Sequence, residues 1–98
     1  MSLLVEYSVR EGGADDQIEA LHAFVDGLKA IGDSAYNYTA YETDDPTRFI
    51  AVFEFDDDAA KQRFLESAPF AAYREGAKDR FTSPPSTTQI RRVASTRG

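Results

Sequence analysis

The chain has 98 residues, which is enough for one domain around one hydrophobic core and too few for a separate regulatory module. Eleven basic and seventeen acidic residues give a net charge of −6, which repels phosphate groups, so neither nucleic acid nor an anionic membrane is an expected partner. Cysteine is absent, which excludes disulfides, thiolate catalysis and sulfur-ligated metals. The sequence contains no apolar run of membrane-spanning length and no basic leader, so we expect a cytoplasmic protein. We expect one domain, 1–98, with an ordered core of about 3–94.

The first part of the chain predicts a strand, a helix and a second strand. Apolar and polar residues alternate over 3–9, which is a strand pattern. Asp15 or Asp16 is placed to cap a helix, and Gly32 is suited to its C-terminal end. The apolar residues of this helix recur at helical spacing: Ile18, Leu21, Phe24, Val25, Leu28 and Ile31. Tyrosines and a β-branched threonine then predict a strand over 35–43.

The third predicted strand, 48–55, follows a turn signal at 44–47 and is apolar on both faces. One face carries Phe49, Ala51, Phe53 and Phe55, and the other carries Ile50 and Val52. A strand that is apolar on both faces is usually covered on both sides. Helices of so short a chain can cover only one face, so we expect another subunit to cover the other.

The last part of the chain predicts two short helices and a fourth strand. Three aspartates at 56–58 suit a helix start. Pro69 divides the helical region 58–80 into two pieces, and Ser67 can cap the second piece. A final strand is predicted over 87–94. The resulting order, β-α-β-β-α(α)-β, is that of an α+β ferredoxin-like fold with an antiparallel sheet.

Several of these residues resemble the antibiotic biosynthesis monooxygenase (ABM-like) family, and most closely its small quinol-monooxygenase-type members. The resemblance covers nearly the whole chain and is carried by the hairpin 45–49, Asp57, Ala60, Ser67, Phe70 and Pro84-Pro85. It implies a dimeric α+β barrel, in which the sheets of two subunits pack face to face and each subunit keeps a pocket between its sheet and its helices. It also implies a monooxygenase that needs no cofactor and oxidises a quinol- or anthrone-like aromatic.

The chain departs from the family pattern at three positions. The pattern commonly has a glutamate in the third strand, a tryptophan two positions later, and a histidine nine residues further on in the helix. Aligned through Ser67 and Phe70, these positions fall on Phe53, Phe55 and Phe64. The alignment therefore predicts either an aromatic-lined cavity or a filled core in place of a polar pocket.

These departures leave other functions open. One alternative is a non-catalytic homodimer that binds an apolar small molecule or has a structural role only. Another is a different reaction on the same fold, such as lactone isomerisation or dehalogenation, which needs a polar constellation that the sequence does not show. The aspartate runs lack the glycine and the distal glutamate of a calcium loop, so no metal is expected.

The candidate catalytic residues are Tyr38, Tyr73 and His22. A phenol can donate a hydrogen bond to a substrate carbonyl or phenolate while its ring packs against an aromatic ligand. His22 is the only histidine, the residue type that most often serves as a general acid or base, although its place beside the apolar stripe favours a solvated role. The candidate substrate-binding residues are aromatic and expected to line the pocket: Tyr7, Tyr36, Phe53, Phe55 and Phe64.

Overall fold

The computed structural model describes residues 1–97, so the last residue of the predicted domain lies outside the described residues. Its elements are β1 (Ser2–Ser8), α1 (Ala14–Ile31), β2 (Tyr36–Glu42), β3 (Arg48–Phe55), α2 (Asp58–Leu65), α3 (Ala68–Arg80) and β4 (Ser86–Ile90). The strands form one antiparallel sheet in the order β2-β3-β1-β4. The predicted α+β ferredoxin-like fold is confirmed. None of the helices described in 1–97 is both long and apolar enough to cross a membrane.

The central strands β1 and β3 direct one set of side chains toward the helices. The register places Phe53 between Leu3 of β1 and Tyr38 of β2. On this inward face Phe49 is 2% exposed and Phe55 is 4% exposed. These residues pack against α1 and α2, so the hydrophobic core lies between the sheet and the helices.

The N-terminus of α1 differs from the prediction. Gly13 occupies the N-cap position without a side-chain hydrogen bond, and Asp15 and Asp16 lie in the first turn. The capping prediction was wrong because Gly12, with a φ of 80°, turns the chain early enough for the helix to begin at residue 14. The two carboxylates still lie near the positive end of the helix dipole. Gly32 ends the helix in a left-handed conformation, as predicted.

The predicted helix start at the three aspartates and the predicted Ser67 cap are both confirmed. The Asp57 side chain accepts a hydrogen bond from the backbone N of Ala60 at 2.8 Å and caps α2. The Ser67 hydroxyl accepts one from the backbone N of Phe70 at 3.3 Å and caps α3, with Pro69 in the first turn. The helical region is therefore divided where the proline predicts it.

Strand β4 is shorter than predicted. Its last residue, Ile90, pairs with Ser2, the first residue of β1. No further partner remains on β1, so the ladder ends there and Val93 is 92% exposed. The predicted strand 87–94 is thus wrong in its second half.

Candidate functional site

Two tyrosine hydroxyls meet at one buried glutamine between the sheet and the helices. Gln17 of α1 is 0% exposed. Its Nε2 donates hydrogen bonds to the Oη of Tyr7, from β1, and to the Oη of Tyr73, from α3, each at 2.8 Å. A buried amide is stable only when it is hydrogen-bonded, so these contacts fix the glutamine and tie both helices to the sheet.

Arg80, the last residue of α3, binds the other end of this glutamine. Its Nε donates to the Oε1 of Gln17 at 2.7 Å, and its Nη2 lies 3.5 Å from the carbonyl of Tyr73. Its Cζ lies 5.3 Å from the centre of the Tyr73 ring, within range of a cation–π contact. None of the ion pairs found among residues 1–97 includes Arg80. The partners of this half-buried guanidinium among the described residues are thus neutral groups: the Gln17 amide and the carbonyl and ring of Tyr73.

Tyr38 of β2 completes what we call the tyrosine cluster: Tyr7, Tyr38, Tyr73, Gln17 and Arg80. Burial raises the pKa of the Tyr7 hydroxyl far above its ordinary value of 10.0, and the adjacent Tyr73 raises it further. Burial and Tyr73 raise the pKa of Tyr38 in the same way. A protonated phenol donates a hydrogen bond but does not remove a proton. Tyr7 and Tyr38 can therefore help to stabilise an oxyanion and do not act as general bases.

Phe64 of α2 is the centre of a second group, which fills the space beside the tyrosine cluster. Phe64 is 1% exposed, and the centroids of six rings lie 5.2 to 6.2 Å from its own. These rings belong to Phe24, Tyr36, Tyr38, Phe53, Phe55 and Phe70. Phe53, Phe55 and Phe64, the three phenylalanines on which the family pattern's polar positions were predicted to fall, thus contact one another. Packed side chains occupy the place where the resemblance implies a pocket.

The structure brings together seven of the eight residues that the sequence singled out, and His22 is the exception. His22 lies on the exposed side of α1, where it lines an open groove of about 290 Å³ with Tyr41 and Glu42 of β2. It follows Gln17 by five positions, which is about 140° around the helix axis. His22 is therefore separated from Tyr38 and Tyr73, with which the sequence grouped it. No group of His, Cys, Asp and Glu side chains within 1–97 could hold a metal ion.

A slot between α1 and α3 gives solvent access to part of the tyrosine cluster. It has a volume of about 250 Å³ and is lined by Ala20, Ala23, Phe24, Gly27, Pro69, Ala72, Tyr73 and Arg80. The helices approach closely here, since a methyl group at position 27 would lie 2.8 Å from Cγ of Pro69. The small side chains on both helices leave the slot open above Tyr73 and Arg80.

Sequence reasoning missed Gln17 and Arg80. One signal for Gln17 was present, because it precedes Leu21 by four positions and so extends the buried face of α1 that also carries Phe24 and Leu28. A polar residue that continues an apolar stripe requires buried partners. No comparable signal marks Arg80, which is one of eleven basic residues.

No protein-family model and no curated protein matches this sequence. Solved structures share its fold. One is a provisionally named antibiotic biosynthesis monooxygenase from Bacteroides thetaiotaomicron, with a TM-score of 0.83 at 14% identity over 98% of this chain and 91% of that chain. Another provisionally named antibiotic biosynthesis monooxygenase, from Nitrosomonas europaea, has a TM-score of 0.78 at 19% identity. The match covers 89% of this chain and 92% of that chain. A protein of unknown function from the same organism has a TM-score of 0.79 at 22% identity, and the match covers 97% of this chain and 90% of that chain. Likeness at these identities concerns the fold, and the chain therefore has the ABM-like α+β fold that the sequence resemblance predicted.

Proposed function

We propose that this protein is a cofactor-independent monooxygenase that oxidises a quinol- or anthrone-like aromatic. The observation that supports this function is the tyrosine cluster, in which protonated phenols lie beside a guanidinium and a wall of aromatic rings. Such a site suits an aromatic substrate whose oxygen carries negative charge. The shared fold with proteins named as antibiotic biosynthesis monooxygenases is consistent with this reaction class.

In the proposed reaction the substrate itself supplies the electrons. The ionised substrate adds O₂ at its activated carbon, and protonation gives a hydroperoxide. Loss of water from this hydroperoxide leaves a new carbonyl, so one oxygen atom enters the product and the other leaves as water. Tyr38 and Tyr73 donate hydrogen bonds to the charged substrate oxygen, and Arg80 balances its charge. The aromatic rings orient the substrate and exclude water.

In this reaction no member of the cluster serves as a general base, which limits the substrate. Burial keeps Tyr7 and Tyr38 protonated, Gln17 and Arg80 are a neutral amide and a cation, and Tyr73 serves as a hydrogen-bond donor. The substrate must therefore lose its proton to solvent before or during binding. Aromatics with an acidic hydroxyl meet this requirement, and their oxidation is expected to accelerate as pH rises through the substrate's own pKa.

Oxygen uptake by metal-free protein, measured with a panel of anthrones and hydroquinones against a protein-free blank, tests this function. We expect uptake above the blank, and we expect Tyr73→Phe to reduce it by at least about tenfold because one donor to the oxyanion is lost. Tyr41→Phe removes the hydroxyl of an exposed tyrosine and is expected to change nothing. The same holds for His22→Gln, since His22 lies outside the cluster. Uptake equal to the blank across the panel would contradict the proposal.

A second candidate function is favoured by the packing around Phe64. The rings of Phe53, Phe55 and Phe64 occupy the expected pocket, which leaves the family's usual site without space or polar groups. In this second candidate function the protein is a non-catalytic homodimer, which either binds an apolar small molecule or has a structural role only. Saturable binding of an aromatic without any oxygen uptake would favour this candidate.

Both candidates include a homodimer formed through the outward face of the sheet. Leu4 of β1 pairs with Val52 of β3, and Ile50 lies beside them on the face away from the core. Charges of both signs surround this apolar centre, with Arg48 3.6 Å from Glu6 at one end. A face with an apolar centre and a mixed-charge rim can pair with a copy of itself about a twofold axis.

A charge placed at the centre of this face is expected to abolish the dimer. Val52→Lys puts an ammonium group where two apolar sheets would meet, and burying it unpaired would cost several times the thermal energy. Sedimentation at micromolar concentration should then give a dimer for the parent protein and a monomer for the variant. Ala59→Lys adds the same charge to an exposed position of α2 and should leave the dimer intact. A monomeric parent protein would rule out this interface.

A further inference from the structure

We propose that the slot between α1 and α3 binds a planar aromatic anion whose carboxylate or phenolate pairs with Arg80. This inference adds the charge and the shape of the ligand to the proposed function. It rests on that function in one respect, which is that the ligand is taken to be the substrate. Three features of the slot carry it: an uncompensated charge, a notch that accommodates the guanidinium, and walls suited to a flat ring.

The first feature is the charge on Arg80. Charged groups that are withdrawn from water are usually paired with an opposite charge. The chain has seventeen acidic residues, yet none of the ion pairs among residues 1–97 includes this half-buried guanidinium. Arg80 is also the only charged residue among the described residues that line the slot. An anion bound there would supply the missing partner without meeting a carboxylate.

The second feature is the glycine at position 76, within α3. A methyl group at this position would lie 2.5 Å from Nη1 of Arg80, so the missing side chain makes room for the guanidinium. Glycine inside a helix is less stable than alanine. Nη1 has no hydrogen-bond partner among residues 1–97, whereas Nε and Nη2 are directed to Gln17 and to the carbonyl of Tyr73. The side chain is thus held in one orientation with donors to spare.

The third feature is the shape of the slot. Alanine and glycine side chains on the two helices form narrow walls, and the floor includes Phe24 and Tyr73, whose rings stack with centroids 4.6 Å apart and an angle of 14°. The small residues on both helices leave a narrow gap that suits a flat ring, with aromatic side chains at its floor. A guanidinium with a planar fork of donors at one end matches a carboxylate or phenolate.

Calorimetric titration under nitrogen with 2-naphthoate and with 2-naphthamide tests the inference, because the two probes share a ring system and differ in charge. We expect the naphthoate to bind at least about tenfold more tightly, as one charge-assisted hydrogen bond requires. Arg80→Gln should remove this difference. Arg74→Gln removes a cation from the same helix, outside the slot, and should preserve it. Equal affinities of the parent protein for the two probes would overturn the inference.

Two further variants keep the test decisive if Arg80→Gln does not fold. Ala72→Leu fills the slot from an exposed position and leaves the tyrosine cluster intact, so it should abolish binding of naphthoate. Gly76→Ala displaces the guanidinium while keeping its charge, so it should weaken binding of naphthoate and leave that of naphthamide unchanged. Undiminished binding to Ala72→Leu would overturn the inference. Binding without oxygen uptake would contradict the proposed function alone, whereas uptake without charge-dependent binding would contradict the inference alone.

Discussion

Replacing Phe64 with alanine is expected to lower the free energy of unfolding by about 3–5 kcal/mol, the range typical of a large aromatic removed from a core. Phe64 is 1% exposed, and six other rings surround it. Those rings come from β2, β3, α1 and α3, so no single element can move to close the cavity. Urea unfolding followed by circular dichroism measures the change.

The neighbouring residue provides the control. Leu65 is 41% exposed, and Leu65→Ala is expected to lower the free energy of unfolding by less than about 1 kcal/mol. If the two variants lost similar amounts of stability, Phe64 would not be the centre of a packed core. The space near Phe53 and Phe55 would then be open, and the expected site of the reaction would be the pocket that the family resemblance implies.

Features determined by residues close together in the chain were predicted well. Ser67 was predicted to cap α3, and the aspartates 56–58 to start α2, where Asp57 is the cap. Both side chains accept from a backbone N–H group three residues later, so nearby residues are enough to indicate both helix starts. The predicted cap of α1 was wrong because Gly12 and Gly13 turn the chain through their backbone geometry. No side chain caps this helix, so no capping residue in the sequence marks its start.

Features determined by distant residues were predicted poorly. The hydrogen bond from Arg80 to Gln17 joins residues 63 positions apart, and nothing near either residue in the sequence indicates the other. The end of β4 depends on where β1 begins, because Ile90 pairs with Ser2. The three phenylalanines were identified from the resemblance, yet whether they enclose a cavity depends on side-chain packing that residue types do not determine.

Alkaline pH is expected to destabilise the protein through Tyr7 and Tyr38. Burial raises the pKa of both hydroxyls in the folded state, whereas in the unfolded chain each has its ordinary value of 10.0. Below that pH both states are protonated, and stability is unaffected. Above it the unfolded chain loses protons that the folded protein keeps, so the free energy of unfolding falls by about 1.4 kcal/mol per pH unit for each tyrosine. The decline continues until the pH reaches the folded-state pKa.

Urea titrations at a series of pH values from about 9 to 12 measure this slope, to which each tyrosine with a raised pKa adds, Tyr36 among them. Tyr7→Phe removes one of these groups and should make the slope shallower by about 1.4 kcal/mol per pH unit, even if it also lowers stability at neutral pH. Tyr41→Phe alters an exposed tyrosine on β2 and should leave the slope unchanged. An identical slope in the parent protein and in Tyr7→Phe would show that Tyr7 ionises freely in the folded state. The tyrosine cluster would then contain a potential base, and the requirement for a substrate that arrives already ionised would no longer hold.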